Sequence, residues 1–204
     1  MTKRGPATLT EPLVLFLIFV GVGIGTLTLP QSTRLAALWS TLAALTLFHW
    51  ARAGVELELS LPQVGRGALL ALVISLPLLA FLSTQLRIFA ERLHATQNAV
   101  LLFYQVCFIS APVEEAFFRG VIFEEKGSSA AAGFYAASAF LFYAPHVPIL
   151  VALLVTLAMS LLGVVYGHVR ERYGLVAAIA SHVVAGFTLQ VLPSWLDALR
   201  TLLI

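Results

Sequence analysis

Long apolar blocks, separated by short polar breaks, run the length of the chain. The first, Leu13 to Leu29, ends at Pro30 and the polar run Gln31-Ser32-Thr33-Arg34. A hydrocarbon core of about 30 Å takes about 20 helical residues to cross. Blocks of that length predict helices over about 13–29, 35–50, 67–86, 99–120, 129–144, 149–169 and 175–192. Pro77 falls inside the third as a tolerated kink. Between helices three and four, Arg87 to Asn98 alternates apolar and charged residues, the pattern of a short helix lying in the interface. The tail, Ser194 to Ile204, reads as a further interfacial helix or a poorly formed eighth span. Leu13 to Leu29 is long enough to cross, and no clear small-x-small cleavage site follows it, so it reads as a retained helix.

Composition moves the picture firmly into the membrane. Of 204 residues, 60% are hydrophobic and 11% charged, where a soluble domain has about 25% charged. The fold class expected is all-α, a polytopic transmembrane helical bundle of about seven spans, with six to eight allowed at about 20 residues each. It forms a single integral membrane domain over residues 1–204. The net charge of +2 is too small and scattered for nucleic acid. The basic residues read as topology markers: Lys3, Arg4, Arg52, Arg66, Lys126, Arg170 and Arg172 on one side, Arg34, Arg87, Arg92 and Arg200 on the other. By the positive-inside rule the amino terminus is cytoplasmic. A lone cysteine, Cys107, allows no internal disulfide and reads as a small buried hydrophobe.

Against that background one stretch stands out, Ser110-Ala-Pro-Val-Glu-Glu-Ala-Phe-Phe-Arg-Gly120. Ionisable groups at membrane depth are costly and mark function. Glu115 and Arg119, four apart, share a helix face and can pair. Glu114 points elsewhere, so the two carboxylates have different environments, and one can exchange a proton while the other stays charged. The bland alternative is a charge cluster anchored in the headgroups. His182 sits in the middle of the last predicted span, and His146 lies in the break Pro145-His146-Val147-Pro148. His49, His94 and His168 fall at helix ends or in the connection and read as interfacial. Gly163 and Gly167 form a small-x-x-x-small packing face with no chemistry attached. Together Glu114, His146 and His182 suffice for amide hydrolysis: Glu114 as general base, His146 holding the water, and His182 donating to the oxyanion.

Glu114-Glu115-x-x-x-Arg119, then Phe142-x-x-x-His146, then His182 resembles, in order and spacing, the CAAX protease and bacteriocin-processing (CPBP, or Abi) family of intramembrane endopeptidases. That family is also called the type II CAAX prenyl endopeptidases, and the likeness covers about Leu101 to Gln190. The resemblance implies a four-helix catalytic core at 99–192 and a glutamic peptidase. Glu114 and His146 would activate water, Glu115 and Arg119 would fix the site, and His182 would steady the oxyanion. It implies a membrane-associated protein or peptide substrate and a prokaryotic cell membrane. No cofactor is expected; were zinc used, Glu114, His146 and His182 would be its ligands. The family usually carries Asn or Asp four residues past the last histidine, where this chain has Gly186. His182 then acts alone, or another group fills the space. Two other readings fit parts of the pattern: a sorting-type transpeptidase using Cys107 as nucleophile, and a non-catalytic immunity factor or proton-coupled transporter.

Overall fold

Each apolar block becomes helix, and no strand occurs among the described residues. A computed structural model describes residues 11–55 and 57–203. Lys3, Arg4 and Glu56 lie outside the described residues, as do the side chains of His146 and Arg200. The helices are α1 (Pro12–Gly25), α2 (Gln31–Ala53), α3 (Leu61–Leu93), α4 (Ala99–Tyr143), α5 (Ile149–Tyr173) and α6 (Leu175–Leu199). Four of them, α3 to α6, are long and apolar enough to cross a membrane. The chain is thus an all-helical integral membrane protein.

Local chemistry sets the boundaries. Pro12 and Pro62 open α1 and α3, at positions where a missing N–H costs nothing. Asn98 caps α4 by accepting from the amides of Val100 and Leu101. The fourth and fifth predicted helices meet within α4 at a kink, Gly127, whose φ of +81° suits a residue without Cβ. Gly174, with φ of +89°, makes the break between α5 and α6. The expected short helix at Arg87 to Asn98 begins earlier and ends sooner: it is the stretch of α3 beyond a kink, and it runs to Leu93. Its departure from helical dihedrals comes at Leu82 and not at Pro77. The tail continues α6 as helix through Leu203.

The chain divides into two compact units. The first takes α1, α2 and residues 116–164. Its core is aromatic: Phe16 lies 4.5 Å from Phe134, and Phe142 contacts Phe19 and Trp39. Arg34 is buried here, so it is no surface topology marker. The second unit takes α3, residues 99–115 and 165–173, and α6. Val169, Ala177 and Ala178 form one of its cores, packed by Leu70 and Tyr173. A second core gathers Ala90, Leu102, Val106, Cys107 and Val191. Small residues let helices approach closely, which is how membrane helices gain contact without a hydrophobic drive.

Candidate functional site

The glutamate segment of α4 is not plain α-helix. Gln105–Ser110 is a π-helical turn, Ala111–Phe117 returns to α, and Phe118–Ile122 is π again. A third π turn, Phe187–Val191, follows the His182 segment. Two have a visible cause. Each ends two residues before a proline, Pro112 and Pro193, which has no N–H to continue the α ladder. The amides of Ala111 and Leu192 reach back five residues, to Val106 and Phe187. Turns of this kind are rare and concentrate at functional sites.

They also undo face arguments based on an even 3.6 period. Cys107 and Glu114, seven residues apart, are expected on about the same face, but π turn 105–110 intervenes. Cys107 packs in the apolar cluster with Ala90, Leu102 and Val191, in the surroundings of a structural thiol.

Glu114, Glu115, Arg119 and His182 are each no more than 4% exposed. This burial removes the alternative of a headgroup-anchored charge cluster. In the second unit, His182 Nδ1 stands 2.9 Å from Glu115 Oε1. Tyr166 stacks on the imidazole, with centroids 4.5 Å apart and planes 19° from parallel. The ring is therefore held from its edge and its face. Tyr166 is a residue that sequence reasoning missed, because a tyrosine near the end of a span reads as an interface anchor.

In the first unit, Arg119 Nη2 donates to the Gly163 carbonyl at 2.8 Å, and the guanidinium lies over Tyr135, 4.5 Å from the ring centre. A Cβ at position 163 would come within 3.0 Å of Tyr135 and 3.3 Å of Arg119 Nη2. Gly163, read from sequence as simple packing, is thus part of the cradle of Arg119. His146 ends the 3₁₀ turn Ala144–His146; its side chain lies outside the described residues. His49 and His94 are buried, contrary to the interfacial reading, while His168 is exposed.

Gly186 has a clear packing reason. A Cβ there would sit 2.7 Å from Val106 Cγ1. Val106, on the first π turn, fills the space that a longer residue would need.

A family model described as type II CAAX prenyl endopeptidase Rce1-like matches residues 96–188. That span contains every motif residue, and over it the resemblance read from the motifs is borne out. The matched family is one of proteases. No curated protein and no solved structure matches the chain. Among the described residues, no three His, Cys, Asp or Glu side chains gather as a metal set; of the expected zinc trio, His146 has its side chain outside them.

Proposed function

We propose that the chain is an intramembrane endopeptidase of the glutamic type. Its substrate is a membrane-associated protein or peptide, of the CAAX or bacteriocin-precursor kind, cleaved without a metal. The observation that carries this reading is the buried Glu115–His182 contact inside the family-matched segment. A carboxylate and an imidazole enclosed at membrane depth, in a helix that also buries a second carboxylate, have a high desolvation cost. A catalytic task accounts for it.

In the proposed reaction, Glu114 removes a proton from water positioned with His146, and the oxygen adds to the amide carbon. The resulting oxyanion takes a hydrogen bond from His182. Collapse breaks the C–N bond, and Glu114 returns the proton to the leaving nitrogen. In this reading the Glu115 carboxylate, 2.9 Å from Nδ1, orients the His182 ring. Arg119, held by Gly163 and Tyr135, is assigned the supporting role of fixing the site. The amino terminus faces the cytoplasm of a prokaryotic cell, on the remaining loop charges once Arg34 is set aside.

Glu114→Gln keeps size and polarity but removes the base. The variant should accumulate in the membrane, folded, with peptide cleavage reduced by at least about 10³-fold. Wild-type turnover in that variant would end the assignment.

A further inference from the structure

Arg34 is the least expected buried group in the chain. It stands in the first turn of α2, fully enclosed. Nη1 donates to the Phe142 carbonyl at 2.8 Å. Nη2 donates to the Leu141 carbonyl and, at 3.3 Å, to that of Gly23. Among the described residues its acceptors are all main-chain oxygens.

The sequence explains why those oxygens are open. In an α-helix the carbonyl of residue 141 bonds the amide of residue 145, and residue 145 is proline. The chain then leaves the helix through the 3₁₀ turn Ala144–His146, so the last carbonyls of α4 lose their ordinary donors. Gly23 lies in the last turn of α1, where its carbonyl also accepts from the Thr26 hydroxyl at 3.3 Å. Two helix C-termini, each a site of partial negative charge, thus meet one cation. A planar guanidinium can bond both at once, which a lysine ammonium on its single stem does poorly.

We propose that Arg34 is a positioning residue for His146: it replaces the amide donor that Pro145 removes, and so sets the direction in which the His146 turn leaves α4. The proposal rests on His146 holding the hydrolytic water, and its test separates the two ideas.

Hydrogen–deuterium exchange on the full-length protein in detergent reads the turn without any substrate. Arg34→Met should raise exchange at amides 144–150 by at least about tenfold, with α6 unchanged. Arg34→Lys should move it the same way and serves alone if the methionine variant does not accumulate. On a membrane-anchored peptide, kcat should fall about 10²-fold with KM within about twofold, as for a misplaced catalytic group. Adding Pro145→Ala to Arg34→Met gives Leu141 an amide donor again. Exchange should then return toward wild type while kcat stays low, because a continued helix carries His146 elsewhere. Recovery of kcat together with protection would mean that Arg34 is merely structural. Unchanged exchange in both Arg34 variants overturns the proposal. An Arg34 effect on exchange beside a fully active Glu114→Gln protein would instead sink the glutamate-and-water mechanism, and with it the catalytic purpose assigned to the turn.

Discussion

Val106 occupies the space that any side chain at position 186 would need, and this decides what the missing Asn or Asp means. The position is not a vacancy waiting for another donor; it is filled by an apolar side chain. Gly186→Asn should therefore destabilise the protein by about 1–3 kcal/mol through overpacking. Val106→Ala in the same chain should recover part of that loss. Melting temperatures in detergent check it, and a double variant no more stable than Gly186→Asn alone contradicts the packing account. At this scale the glutamate pair was legible in the sequence, because charge inside an apolar block has no bland role. Arg34 was not. A lone arginine just after a proline break reads as a flank, and only the fold shows that the acceptors are carbonyls 107 and 108 residues away. Gly163 was hidden in the same way, since its partner Arg119 lies 44 residues off.

At the scale of elements, the consequential features are the π turns, which periodicity cannot reveal because they break the period it relies on. Pro112 and Pro193 were the available signal, and each marks the end of one turn. The last π turn is tied to the end of α3, where His94 Nε2 donates to Gln190 Oε1 at 2.6 Å. Burial pushes the His94 imidazole down from 6.5 to about 4, with the Gln190 bond opposing it. Between those values the unfolded chain binds a proton that the folded chain refuses. His94 therefore contributes no penalty above pH 6.5, and stability is lost as pH falls from 6.5 toward 4. The full loss is about 3 kcal/mol, or several degrees of melting temperature. His94→Gln should flatten the decline. An identical acid slope in that variant rules His94 out as its source.

For the whole molecule, burial is low where lipid belongs. The apolar windows of α3 and α5 are each 22% buried within the protein, and Phe81 is 85% exposed. Exposure on that scale is an aggregation hazard in water and ordinary in a bilayer. The class was readable from composition because the excess apolar residues come in span-length blocks. Helix limits were less so: α1 at 14 residues is shorter than its block, while the break expected between the fourth and fifth helices does fall, at Gly127. The family likeness held over 96–188, close to the limits set by the motifs. The helices before it carry no such signature, yet α1 and α2 supply the Gly23 and Arg34 contacts to α4.

The central claim is that this chain hydrolyses peptide bonds in the membrane with protein groups and water alone. The most direct measurement is mass spectrometry of a prenylated, CAAX-terminated peptide incubated in liposomes with the purified protein, in ¹⁸O-labelled water and with a strong zinc chelator present. The account predicts cleavage at an undiminished rate, with one solvent oxygen in the new carboxylate. Intact peptide beside folded wild-type protein would contradict the activity, and cleavage that stops with the chelator and returns with zinc would contradict the metal-free mechanism.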